Sequence, residues 1–338
     1  MKRTILGYLT LSLAIGFPSI GAADKERTLF IAFAMTKAQE SSSIPTDSGI
    51  YLRSEKEDSW HRIGPVIQSM NSLSVDPSAP ATIFMACGNG IVRSKDSGET
   101  WRMVTGWRES DFLKIAIDPE NGDNIYGTSV WGFHLSRDGG ESWTSANKGL
   151  NEKYCRTIIV DHRNPRRLVL GTGDGIYESR NGGESWTRVR SSPESAILRM
   201  DRSLNNPNLW IAGSEGEGVY LSTNDGKSWR PVAESLAEAN VYGVSLHPEK
   251  ESLMAAGGWS QGLWVSNDGG DSWEDRSSGL PSQNVTAVAF DENHLDRLWV
   301  STFEEGTYYT NDDGNTWIDG DLYGAYVFDL DFVTSAKE

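Results

Sequence analysis

"SRDGGESW", Ser136 to Trp143, combines a hydroxyl, an acid, two glycines, a second hydroxyl and a tryptophan, the composition of a tight hairpin turn. The chain repeats it. "SKDSGETW" (Ser94 to Trp101), "SRNGGESW" (Ser179 to Trp186), "STNDGKSW" (Ser222 to Trp229), "SNDGGDSW" (Ser266 to Trp273) and "TNDDGNTW" (Thr310 to Trp317) are the same phrase, and a worn copy, "SEKEDSW", ends at Trp60 without the glycine. The seven tryptophans lie 41 to 44 residues apart. A period of that size suits a four-stranded propeller blade.

Each unit repeats internally as well. An alternating strand comes first, as in Leu113 to Asp118 or Val285 to Asp291, and a turn such as "DPENGDN" follows. A more apolar strand is next (Leu168 to Gly171, Leu298 to Val300), then a third opening on glycine (Gly90, Gly175, Gly262). The phrase turns the chain into a fourth strand, expected to begin at the tryptophan. Short strands with glycine-rich turns at this spacing read as all-β, and no stretch carries helical periodicity.

The ends of the repeat array decide between an open solenoid and a closed ring. The array starts on a second strand, Thr28 to Ala32, and stops on a first strand, Tyr326 to Leu330. Together they make one blade, which would bury two otherwise open sheet edges. Six full repeats and this composite predict a seven-bladed β-propeller over residues 24–338. Within each phrase the Asp or Asn (Asp96, Asp138, Asn181, Asn224, Asp268, Asp312) is expected to accept backbone N–H bonds, and the glycine two residues on to adopt a left-handed conformation. The acids after the first strands, Asp76, Asp118, Asp161, Asp201 and Asp291, are expected at one recurrent turn position.

Residues 1–23 read as a secretory signal peptide: Lys2 and Arg3, an apolar run from Ile5 to Phe17, then Gly21, Ala22 and Ala23. The run is short for a membrane span. The expected location is therefore exported, periplasmic or extracellular. The formal net charge of −16 becomes −18 without Lys2 and Arg3, which disfavours nucleic acid and anionic lipid as partners. Two cysteines, Cys87 and Cys155, are too few for a disulfide framework and are expected to be unpaired.

The phrase S-x-D-x-G-x-[ST]-W at this spacing resembles the Asp-box, or bacterial neuraminidase repeat, of sialidases, xyloglucanases, sortilin-type receptors and photosystem II stability/assembly factors. Blade count, length and leader make the chain most similar to the last group, which implies a propeller working without chemistry as an assembly partner of membrane-protein subunits. No cluster here matches the arginine-rich patch of its photosynthetic members, so the resemblance implies the propeller and not that client. Sialidases differ in having six blades and an Arg-Ile-Pro segment, for which the nearest string is Arg62-Ile63-Gly64; xyloglucanases pair two seven-bladed domains.

No cofactor or metal is called for. "GTGDG" (Gly171 to Gly175) lies between two strands and reads as a turn rather than a phosphate loop. "NDDGN" (Asn311 to Asn315) lacks the glutamate of a calcium loop, and the five histidines lack metal-ligand spacing. What does not repeat is more informative. Loops between strands two and three, and those leading into strand one, share one face of a propeller. They carry Trp107, Arg108, Glu109, Trp131, Tyr154 with Arg156, Tyr242, Trp259, Gln261 and Tyr323, aromatics beside charges and amides. Such a surface suits a protein partner, for instance an envelope or membrane-complex subunit, or a glycan. The chain is expected to be a monomer. A non-enzymatic interaction module is favoured over a glycoside hydrolase, for which Asp111, Asp174, Glu215, Glu217, Glu304 and Glu305 are the face carboxylates. The Met35 to Ser48 loop is the longest of this set, and its Ser, Thr and Pro content predicts a mobile flap over the face.

Overall fold

The computed structural model describes residues 27–35, 48–53, 59–65, 67, 69–232 and 234–334; the signal peptide expected at 1–23, most of the worn phrase before Trp60 and the interior of the Met35 to Ser48 loop lie outside them. The strands form seven antiparallel sheets of four strands each, with one short 3-10 turn at Glu234–Leu236. Their innermost strands are Met70–Val75, Phe112–Asp118, Cys155–Val160, Ile197–Arg202, Val241–Leu246, Val285–Phe290 and Ala325–Thr334. Each packs beside the next, and the last returns to the first. This is a seven-bladed β-propeller, and blades 1 to 7 are numbered here by those strands.

Blade 7 is the composite. Ala325–Thr334 pairs antiparallel with Arg27–Met35, in a register that sets Leu330 against Ile31 and Val327 against Phe33, and Gly49–Arg53 and Trp60–Ile63 complete the sheet.

Seven apolar clusters fill the seven junctions between neighbouring blades. A strand in the middle of a blade therefore meets a neighbour on both faces. Ile83–Cys87, Leu168–Thr172, Met254–Gly258 and Leu298–Thr302 are buried at every position, which is why they read as apolar runs without alternation. The outermost strands of blades 1 to 6 are shorter than the sequence implies. They span two or three residues and start one residue after the tryptophan, as in Arg102–Met103 and Arg230–Val232. Short edges offer little to another chain's strand.

The repeated phrase is a hydrogen-bonded staple. In blade 2 the Ser136 hydroxyl accepts from Gly140 N–H at 2.9 Å and donates to Asp138 at 2.8 Å, while Asp138 accepts from the Ser142 N–H at 2.9 Å. The same bonds recur at Ser94/Asp96, Ser179/Asn181, Ser222/Asn224, Ser266/Asp268 and Thr310/Asp312. These bonds pull the acid down: Asp138 falls to about 2, chiefly through the Ser142 hydroxyl. The residue before the staple glycine is also left-handed, including the non-glycines Ser97, Asp225 and Asp313.

In blade 3, Gly183 has φ +90°, and a Cβ there would lie 2.6 Å from the Phe133 ring. Trp186 is buried, stands edge-on to Phe133 at 4.8 Å and donates its indole N–H to the Ala146 carbonyl at 3.0 Å. Trp186→Ala should cost about 3 to 5 kcal/mol of unfolding free energy. Gly183→Val should also be costly, since it adds strain to a clash. Denaturant melts check both; a loss under 1 kcal/mol for Trp186→Ala would mean the staple is not anchored there.

The turn after each inner strand needs one correction. Asp76 and Asp161 each accept a backbone N–H bond from the residue two positions on, and Asp118 and Asp291 from the residues two and three positions on. In blade 4 that position belongs to Ser203 and in blade 5 to His247. Asp201 is not a turn residue. It sits two positions earlier, on the strand, because pairing register and not the recurrence of an acid sets the equivalence.

Candidate functional site

Both sets of candidate loops share a face, and hydrogen bonds sew them together blade by blade. Backbone bonds join Asp111 to Gly88, Gly173 to Tyr154, Glu215 to Ala196, Trp259 to Asn240, Phe303 to Asn284 and Gly324 to Glu304. Four of these bonds tie the loop between strands two and three to the loop that leads into the same blade, while Asp111 to Gly88 and Gly324 to Glu304 tie it to the loop leading into the next. The result is a platform on short, tethered connections.

Trp107 is 85% exposed, with the Arg108 guanidinium 4.8 Å from its ring, and Glu109 closes the turn by donating its N–H to Gly106. Trp131, 61% exposed, donates its indole N–H to Asp111 at 3.0 Å. These four residues form one patch over blades 1 and 2. Trp259 and Tyr242 form another on blade 5, their rings 6.4 Å apart, with the Gln261 carbonyl accepting the Trp264 indole N–H at 2.8 Å beside them. The structure does not bring the two patches into one. Tyr323, 55% exposed, bonds through its hydroxyl to Asp319 on the outermost strand of blade 6, which draws it toward the rim and away from the channel.

Other aromatics take the mouth. Trp259 meets Phe303 at 5.0 Å, Phe303 meets Tyr326 at 5.8 Å, and Tyr326 meets Phe328 at 4.8 Å, an arc across blades 5, 6 and 7. The channel beneath is shaped by a shared irregularity. Every inner strand carries a β-bulge at the same register, leaving Asn71, Leu113, Arg156, Leu198, Tyr242, Thr286 and Phe328 unpaired in turn. A bulge sends two successive side chains to one face. In six blades the bulged residue and its successor line the same cavity, so the channel receives Lys114, Arg199 and Asp329 in addition.

Those three close it. Lys114 Nζ lies 2.6 Å from Asp329, Arg199 bonds to the same carboxylate, and Asp331 is 3.2 Å from Arg199 and 3.6 Å from Lys114. Blades 2, 4 and 7 are thus clasped across the axis. Burial works against ionising Asp329, but Lys114 and Arg199 outweigh it and hold the carboxyl down to about 2. Asp201, below the clasp, goes the other way: burial pushes it up to about 6, although the Leu246 and Arg202 N–H groups donate to it.

A carboxyl raised in the folded state takes up its proton there first. Asp201 therefore favours the fold at low pH, and this contribution, about 3 kcal/mol at most for roughly two units, is lost as pH rises from about 4 to 6. Asp329 contributes oppositely, fully above about 4 and progressively less as pH falls toward 2. Carbon-detected NMR of the aspartate carboxyls should show one midpoint near 6; ordinary midpoints near 4 for all channel aspartates would refute the assignment. Phe303, Phe328 and the clasp were not singled out from sequence. A signal existed: lysine, arginine and aspartate stand at the inner-strand position held by Ser72, Thr157, Gly243 and Ala287 in the other blades.

The fold has known counterparts. A GH74 enzyme from Niastella koreensis is 17% identical, with TM-score 0.69 over 90% of this chain and 56% of that one. YCF48 from Cyanidioschyzon merolae is 16% identical, with TM-score 0.59 over 80% of this chain and 93% of that one. YCF48 in a complex with a D1 peptide is 17% identical, with TM-score 0.57 over 74% and 81%. Identities this low show the shared fold alone, and the chain spans little over half of the Niastella enzyme. No curated protein matches the chain. The family model described as Sortilin-Vps10 (sortilin, neurotensin receptor 3) matches residues 131–256 and 217–326. Its two matches together cover more than half of the sequence, and the chain belongs to the Sortilin-Vps10 family.

Proposed function

We propose that the chain is an exported, non-enzymatic interaction scaffold that binds a protein partner, such as an envelope or membrane-complex subunit, through the loop face described above. One observation carries this reading: the exposed large aromatics among the described residues, Trp107, Trp131, Trp259 and Tyr323, all lie on that face. Exposed aromatics on tethered loops offer contact area at low entropic cost, the usual make-up of binding hot spots. YCF48, a propeller of similar fold, is known bound to a D1 peptide, which supports protein binding as a use of this architecture. The charge, apolar run and small residues of the first 23 positions support export.

The second reading, a glycan-binding or glycan-cleaving propeller, is favoured by the GH74 likeness. Against cleavage, face carboxylates serve their own loops: Asp111 accepts from Trp131, Asp174 from the Tyr177 hydroxyl at 2.8 Å, and Glu217 from the Tyr220 hydroxyl at 2.9 Å. Affinity capture from the native envelope, run beside a glycan panel assayed for released reducing ends, separates the readings. Trp259→Ala should weaken partner binding by about 2 kcal/mol or more. Asp174→Asn and Glu304→Gln should change it little. Turnover of a polysaccharide abolished by one of those amide changes would overturn the scaffold reading.

A further inference from the structure

At the end of the ring away from the loop face, beneath the clasp, a funnel of about 730 Å³ lies among the ends of the inner strands and the turns that follow them. Its size is that of a small-molecule site. Side chains alternate along a strand, so the residue two positions beyond each clasp position also points inward. These residues form one tier: two acids, Asp201 and Asp331, two hydroxyls, Ser74 and Ser245, and three apolar residues, Ala116 and Ala289 among them. Small side chains keep the tier open. Toward the rim the wall turns apolar, with Pro119, Phe332 and the exposed Leu204.

The tier carries acid without base. Lys114 and Arg199 above it are held by Asp329 and Asp331. On the blade 3 side, Arg163 and Arg202 are taken by Asp161 and Asp225. On the blade 5 side the neighbouring strand offers Ser245 and the Leu246 N–H, and His162 and Glu292 stand in the turns at the rim. Asp201 accepts the N–H groups of Leu246 and Arg202 and forms no ion pair among the described residues. A recessed carboxylate without a cation is costly to ionise, and with Asp201 ionised three acids, Asp201, Asp329 and Asp331, face two cations, Lys114 and Arg199. The funnel is short of one positive charge.

We propose that the funnel binds a primary alkylammonium compound, its head seated in the tier between Asp201 and Asp331 and its aliphatic body against the apolar wall. Blades 4 and 7 stand almost opposite one another in a ring of seven, so a head group on the axis lies between the two carboxylates. An ammonium brings three N–H donors, which two carboxylates and a serine hydroxyl accept. A quaternary ammonium brings none, and the tier holds no aromatic ring to face it. The net charge of −16 draws cations toward the molecule. The site lies at the opposite end from the loop face and does not depend on the protein-scaffold reading.

The test is calorimetric titration of the full chain with hexylammonium, beside 1-hexanol and hexyltrimethylammonium. At pH 7.5 the amine should bind roughly tenfold or more tightly than either, the ratio expected for charged over neutral hydrogen bonding. Asp201→Asn should erase that preference without lowering the thermal midpoint, since it removes a recessed charge that has no partner. Below pH 6 a proton competes for Asp201 while the amine stays charged, so wild-type affinity should fall about tenfold by pH 5 and that for hexanol stay level. Asp201→Asn should abolish this dependence, which titration of His162 or Glu292 would preserve. If Asp201→Asn does not fold, carbon NMR of the wild type decides: saturation with amine must move the Asp201 carboxyl midpoint below 6. Equal affinity for amine and hexanol, equal binding of the trimethylated compound, no binding at tens of millimolar, or an unmoved midpoint would overturn the proposal. So would a preference that survives Asp201→Asn. Failure to capture an envelope partner would leave the amine-to-hexanol ratio untouched, so the two readings fail separately.

Discussion

Deleting the chain from Tyr326 onward is expected to abolish cooperative folding. The lost strand pairs with Arg27–Met35 along its whole length and supplies the buried Val327 and Leu330 to the junction between blades 6 and 7. Burial of those two side chains contributes about 3 to 6 kcal/mol, and the pairing itself adds to it. The deletion also removes Asp329 and Asp331 and leaves Lys114 and Arg199 facing an open channel without partners. The combined loss is of the order of the whole stability of an ordinary domain, about 5 to 15 kcal/mol. Arg27–Met35 would become an exposed, apolar edge, so the truncated chain should aggregate. Circular dichroism melts and size-exclusion chromatography measure both. A truncated monomer with the full-length melting temperature would show that the ring does not need its closing strand.

Asp329→Asn should cost about 3 to 5 kcal/mol, because it leaves two buried cations partly unpaired at one stroke. The difference from the wild type should shrink as pH falls toward 2, where the native carboxyl itself takes up a proton. Urea melts at pH 7 and pH 2.5 test this. A cost below 1 kcal/mol at pH 7, or one independent of pH, would remove the clasp as a tie among blades 2, 4 and 7. A cost of the expected size would make the closed channel a structural axle, with ligands confined to the mouth above it and the funnel below.

The ring closure and the cross-channel clasp bear on function together. Because the clasp spans the axis, the loop face carries a central depression above it. Arg156, Tyr242 and Phe328 line that depression as a consequence of the bulges, which add one side chain per blade to the channel wall. The exposed tryptophans on blades 1 and 2 stand away from it, as a separate contact area on the same platform.

Much of this molecule is local and periodic, and that part was legible in the amino-acid order. The staple bonds run between residues two and four apart, so a serine, an acid and a glycine at fixed offsets are sufficient to specify them. Six such staples and one worn copy at a common spacing point to seven blades, and the array ending on a first strand and beginning on a second points to a shared one. The same logic placed the exposed aromatics on one face. It failed where equivalence between blades depends on pairing: Asp201 reads as another turn acid until the register shows Ser203 in that role. It could not group the site residues either, since Trp131 and Trp259 occupy like positions in their own blades yet belong to different patches. Only the tertiary structure decided what meets across the axis. Lys114 and Asp329 are 215 residues apart, Arg199 and Asp329 are 130 apart, and the bulge that turns each of them inward is a property of two paired strands and not of either sequence alone.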